Sequence, residues 1–135
     1  MKIEIVSGQP NANIEKFFDE LLRNDCASAE DKTCYVMRYP EHKIMHPAKI
    51  VDHVRETVAR YIENDKNLYI ITFSDHVLNA VRCEVKKHKF GNAVCHQIME
   101  NGEDIPAYID KDGHLSFWAD GVFDTWDNAL TELLT

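Results

Sequence analysis

The stretch "LYIITFSDHVLNAVR", residues 68–82, decides the fold. Its first six residues are almost unbroken apolar sequence, as expected of a strand buried on both faces. Ser74 then stands where a helix cap belongs, and Val77, Leu78, Val81 and Val85 recur on one face of the helix that follows. A strand covered on both sides and joined at once to an amphipathic helix is the repeating unit of a parallel, helix-flanked sheet.

The same alternation extends upstream. "KIEIVS" sets Ile3 and Ile5 between polar neighbours and reads as a half-buried strand. "GQPNAN" breaks it and supplies Asn11 or Asn13 as a cap, and "IEKFFDELLRN" places Ile14, Phe17, Phe18, Leu21 and Leu22 on one helical face. After a polar connection comes the strand "TCYVMR". A second helix opens at Pro47, a residue favoured in a first helical turn, and runs to about Asn64 with Ile50, Val54, Val58 and Tyr61 inward. "TCYVM" and "LYIIT" are expected to be adjacent buried strands, with helix 47–64 crossing over between them.

Downstream, Gly91 is expected to end the third helix after Lys86-Lys87-His88-Lys89, cations that suit a helix C-terminus. "NAVCHQIM", "IPAYID" and "HLSFW" then read as short strands separated by the turn signals Asn101-Gly102 and Asp112-Gly113. The final segment, "TWDNALTELL", reads as a helix. The expected fold is α/β: a small helix-covered sheet with parallel core strands and a C-terminal β-hairpin extension, residues 1–135 forming one domain.

Composition narrows the function classes. The chain has 135 residues, 44% of them hydrophobic and 28% charged, ordinary for a soluble globular domain. Twenty-three acidic against 15 basic residues give a net charge of −8, which argues against a general binder of nucleic-acid backbone. No apolar run approaches the roughly 20 residues of a membrane span. Met1 leads straight into "KIEIVSG", which has no signal-peptide layout, and the four cysteines lack paired spacing. Reduced thiols and a cytoplasmic location are therefore expected.

Three segments carry a more specific signal. "RYPEHKIMHP" (38–47) places Pro40-Glu41 after a strand and His46-Pro47 at a helix start. "ITFSDHVLNAVR" (71–82) ends a strand in Ser74, Asp75 and His76. "DKDGHLSFWADGVFD" (110–124) combines an Asp-Gly turn with Trp118, Gly121, Phe123 and Asp124. In this order and spacing they resemble the C-terminal lobe of ABC-class ATPases of the overcoming-lysogenization-defect (OLD) and Rad50-like kind, above all the compact AAA ATPases of bacterial defence systems. The resemblance implies the C-terminal half of a P-loop ATPase domain, about a third of a full family member.

Against that family the nucleotide chemistry is degenerate. A P-loop needs Gly-x-x-x-x-Gly-Lys-Ser/Thr to cradle phosphates, whereas "SGQPNAN" has one glycine, no lysine and a proline without an N–H. Arg38 stands at the Walker B acid and Tyr39 beside it, so a cation is expected where a carboxylate should hold magnesium. Ile71 replaces the switch glutamate, and Phe73 the histidine that senses the γ-phosphate. "VSGQP" also resembles the Ser-Gly-Gly-Gln signature of ABC lobes, but reads as a structural Gly/Pro turn.

The resemblance thus implies a pseudo-ATPase without catalytic residues, cofactor or metal. It would act by binding a protein, either a related ATPase or its nuclease, and a phage-encoded decoy or inhibitor of a defence system fits that role. No direct contact with nucleic acid or membrane is expected. Trp118 and Phe123, around Gly121, read either as core aromatics or as an anchor for the partner. The alternative is a small metal-dependent hydrolase or nuclease using Glu41, Asp75 and His76, gathered at the carboxyl ends of the strands. Against that stands a structural role for Ser74 and Asp75 as a helix cap. Neither Cys83 with His88 nor Cys95 with His96 has zinc-ligand spacing, and the latter pair faces opposite ways on a strand. A Cys-His nucleophilic site meets the same objection.

Overall fold

The computed structural model describes residues 1–26, 34–39, 46–123 and 125–134, without the side chains of residues 39 and 125–128. The described elements are β1 (Ile3–Gly8), α1 (Ile14–Asp25), β2 (Cys34–Tyr39), α2 (Pro47–Glu63), β3 (Asn67–Thr72), α3 (Asp75–His88), β4 (Ala93–Ile98), β5 (Asp104–Ile109) and α4 (Thr125–Leu134). The five strands form one sheet in the order β2-β3-β1-β4-β5. Pairing is parallel from β2 to β4, and β4–β5 is an antiparallel hairpin. The fold is α/β.

The direction of the crossovers sets the layers. From β1 the chain jumps past the place of β3 to the edge strand β2, then returns through β3 to β4 on the far side of β1. Crossovers of one hand that run in opposite directions must leave their helices on opposite faces. The core divides accordingly. Ile14 and Phe18 of α1 pack with Val6, Tyr69 and Ile71, while Val54 and Val58 of α2 and Val77 and Val81 of α3 pack with Ile5 and Ile70. Asn13 caps α1 by accepting from the Lys16 amide at 3.1 Å. His46 caps α2 through Nδ1, which accepts from the Ala48 amide at 3.1 Å.

Four expectations need correction. β1 is buried at all six positions, not alternately: Glu4 goes inside because His96 Nε2 and Lys2 Nζ meet its carboxylate at 3.0 and 3.4 Å. β2 does lie beside β3, in the register Tyr35↔Leu68, but it is an edge strand with Tyr35 and Val36 exposed and Tyr35 stacked on Tyr61 of α2. The third helix ends before Gly91, with Lys89 as its left-handed cap (φ 51°). "HLSFW" contributes a single bridge, Leu115 to Ile109, rather than a strand. Its Ser116 amide donates to the Tyr108 carbonyl at 2.9 Å, and beyond it the chain is held by Gln97, a fully buried side chain that donates to the Phe117 carbonyl at 3.1 Å and accepts from the Ala119 amide at 2.9 Å. The hairpin is accordingly part of the main sheet, since β4 pairs along the whole length of β1.

Among the described residues no helix is long and apolar enough to cross a membrane. Gly8, where β1 ends, is set by packing. A Cβ there would lie 2.5 Å from the Ile98 carbonyl oxygen and 2.8 Å from Ile14 Cγ2. Backbone oxygen cannot yield as a flexible side chain can, so Gly8→Ala should destabilise the fold by roughly 2 kcal/mol, read as a lower midpoint in urea unfolding.

Candidate functional site

β1 and β3 are neighbours whose connections leave toward opposite faces, α1 on one and α3 on the other. In open α/β sheets such a switch point, at the carboxyl ends of the strands, opens a crevice. Here it is a cleft of about 970 Å³, near the top of the range for small-molecule sites. Gly8 and Pro10 form the wall after β1, while Phe73, Asp75, His76 and Asn79 form the wall after β3. Gly121 and Phe123 close it from the C-terminal segment, with Ala129 of α4 behind them.

Local chemistry positions each wall. Where β3 ends, Thr72 Oγ1 accepts from the Ser74 amide at 2.9 Å, turning the chain so that Phe73 is left half-exposed. Ser74 occupies the N-cap of α3, but its side chain makes no cap bond. The expected Ser74 cap is thus a matter of position only. Asp75 supplies a negative charge in the first turn, where the helix dipole favours one. Arg82, one turn beyond Asn79, donates to Asn79 Oδ1 at 3.0 Å and to the Gly113 carbonyl at 2.7 Å. Its guanidinium lies 5.6 Å from the Trp118 ring centroid.

The C-terminal wall hangs on Gln9, which accepts from the Glu100 amide at 2.8 Å and donates to the Asp120 carbonyl at 3.1 Å. Gly121 follows in the left-handed region (φ 78°), its α-carbon face against the Gln9 side chain. Phe123 adopts φ 58°, a value that a bulky residue rarely takes and that costs on the order of 1–3 kcal/mol. Its ring meets Trp118 edge-on at 6.1 Å.

The residues singled out by sequence are dispersed in an informative way. Phe73, Asp75, His76 and Phe123 line the cleft. Trp118 is not part of the lining; it is half-exposed, with its ring edge-on to Phe123. Ile71 is buried beneath α1. Arg38 lies in register with Ile71 and so faces the same helix: it pairs with Glu15 at 3.2 Å and Asp19 at 3.6 Å and covers the Phe18 ring. Its charge is taken up by α1. Glu41 and the Tyr39 side chain lie outside the described residues. Sequence reading missed Gly8, Pro10 and Asn79 as lining and Gln9 and Gln97 as the clamps behind it. The Gly-x-Pro at the end of a strand was the available signal.

A second polar cluster lies under α1, away from the cleft. His96 bonds Asp104 at 2.8 Å through Nδ1 and Glu4 at 3.0 Å through Nε2, with Phe17 of α1 against its ring. Lys2 joins Glu4 to Asp25, which also accepts the Tyr69 hydroxyl at 3.1 Å. Cys95, on the opposite side of β4, is fully buried, and burial pushes its thiol up to about 12. Among the described residues no group of three or more His, Cys, Asp or Glu is placed to hold a metal ion.

A sequence-family profile described as a protein of unknown function (DUF3696) matches residues 89–133. That span holds the hairpin, the Gln97 clamp and the C-terminal wall of the cleft. No curated protein and no solved structure matches the chain.

Burial would lower the His96 pKa, but its bonds to Asp104 and Glu4 outweigh burial and push it up to about 9. The unfolded imidazole titrates near 6.5. The stabilisation is therefore whole below pH 6.5 and is lost as pH rises through 9, a change of about 3 kcal/mol. Urea unfolding between pH 6.5 and 9 should show this slope in the natural chain and not in His96→Gln.

Proposed function

We propose that the chain is a catalytically inactive lobe of the ATPase kind that acts by docking onto a protein partner through the carboxyl-end cleft. One observation carries this reading. At the switch point, where an α/β protein places its ligand, two phenyl rings line the cleft, and one of them, Phe73, stands where the resemblance puts a phosphate-sensing histidine. Ile71 and Arg38, at positions the resemblance gives to catalysis and metal binding, are turned to α1. The Gly8–Pro10 wall offers no lysine and no second glycine for phosphate. Aromatic side chains that meet in a pocket at the centre of an interface are typical anchors. A related ATPase or its nuclease is the partner that the resemblance suggests, and a viral decoy the setting; both are analogies of fold.

Calorimetry with ATP and magnesium should give no heat of binding; a micromolar dissociation constant, about −8 kcal/mol, overturns the reading. Arg38→Asp should be equally silent, because the cradle is missing and not only the acid. For docking, a protein captured from the native host is purified and its affinity measured against both the natural chain and Phe73→Asp. Phe73 is half-exposed, so the variant should fold and bind at least about 2 kcal/mol more weakly.

A metal-dependent hydrolase or nuclease is the second reading, favoured by Asp75 and His76 sharing the cleft wall. It requires Glu41 to join them. Cleavage of plasmid DNA or of p-nitrophenyl phosphate with magnesium or manganese, lost by a factor of about 10² or more in His76→Gln, would establish it in place of docking.

A further inference from the structure

We propose that the cleft recognises a cationic side chain, arginine or lysine, on the segment that docks there; this rests on the docking reading and names the chemistry of the partner. Among the described lining residues there is no lysine or arginine, and Asp75 is the carboxylate. Asp75 is half-buried and has no hydrogen-bonding or ion-pairing partner among the described residues. A purely apolar partner would strip water from that carboxylate and give nothing back. An anionic partner would add repulsion. A guanidinium or ammonium would pair with it while its alkyl stem lay on the phenyl rings.

The aromatic wall is suited to the same group. Trp118 already carries the Arg82 guanidinium at 5.6 Å and touches Phe123, so this cluster accommodates a planar cation from within the chain. Two local positive charges work against the proposal, and Asp75 is the lining group that opposes them. The N-terminus of α3 contributes about half a positive charge, against the full negative charge of Asp75. Arg82 is committed to Asn79, Gly113 and Trp118. At longer range the net charge of −8 steers cations toward the molecule.

The test is NMR titration of the ¹⁵N-labelled chain with three blocked tripeptides, acetyl-leucyl-X-leucyl-amide, where X is arginine, glutamine or glutamate. The arginine peptide should shift the amides of residues 73–79 and 121–123 and bind about tenfold more tightly than the glutamine peptide, with the glutamate peptide weakest. Asp75→Asn should reduce the arginine peptide to the glutamine level, and Asp75→Glu should keep the preference; both lie on a helical first turn that accepts either residue. Equal binding of the glutamine or glutamate peptide overturns the proposal, as do shifts confined to other surfaces or no saturable binding up to ~10 mM. Failure of each reading is separable. A partner lost by Phe73→Asp, with no charge preference among the peptides, leaves docking intact and ends this proposal. Arginine selection in a chain whose partner ignores Phe73→Asp does the reverse.

Discussion

β1 has no face and no edge open to water, and the molecule is arranged around covering it. It is paired on one side by β3 and on the other by β4, in both cases parallel. Parallel neighbours need crossovers, and covering both faces needs crossovers in both directions. Those two requirements send the chain past β3 to β2 and back again, and the reversal leaves the crevice beside the end of β1. The cleft is a consequence of burying the first strand. The same burial accounts for the charge cluster under α1: once Glu4 is enclosed, it must be paired, and His96 and Lys2 are the groups that reach it.

The C-terminal wall has a different origin. Residues 117–123 have almost no regular structure, yet two primary amides fix them. Gln97 uses both ends of its side chain on Phe117 and Ala119, and Gln9 uses both of its own on Glu100 and Asp120. A glutamine amide is donor and acceptor on one rigid plane, so each can substitute for a rung of a sheet ladder. Because Gln9 follows β1 and Gln97 lies on β4, the wall is registered to one of the strands that frame the cleft and to that strand's other neighbour. The arrangement also gives the unusual backbone at Phe123 something stiff to be held against.

Much of this was legible in the chain. Apolar runs, caps and Gly/Pro punctuation located the elements, because those signals are local and the packing agrees with them. Less legible was whatever depended on a partner distant in sequence. Glu4 made β1 look half-exposed, since its neutralising histidine is 92 residues away. The ion pairs of Arg38 with α1 were hidden as well, since only the β2–β3 register reveals that it shares a face with Ile71. "HLSFW" had the composition of a strand, but a buried side chain took its backbone partners first. That Phe73, Asp75 and His76 lie together was legible because one strand end carries all three; Gly8 and Asn79 joined them in the cleft lining only through the fold.

Two features of the cleft are not what folding alone would select. A residue just past a buried strand is ordinarily polar, yet Phe73 leaves half of a phenyl ring in water. A left-handed position in a tight turn ordinarily takes glycine or asparagine, yet Phe123 occupies one while glycine is used two residues earlier for the same backbone region. Either departure by itself could be an accident of packing. They come from segments 50 residues apart in the chain, and both deliver an aromatic ring to the same lining. Local rules of sequence are most often broken where a site makes a second demand on the chain. Here both breaks set an aromatic ring at the cleft, Phe73 half in water and Phe123 partly buried against the core.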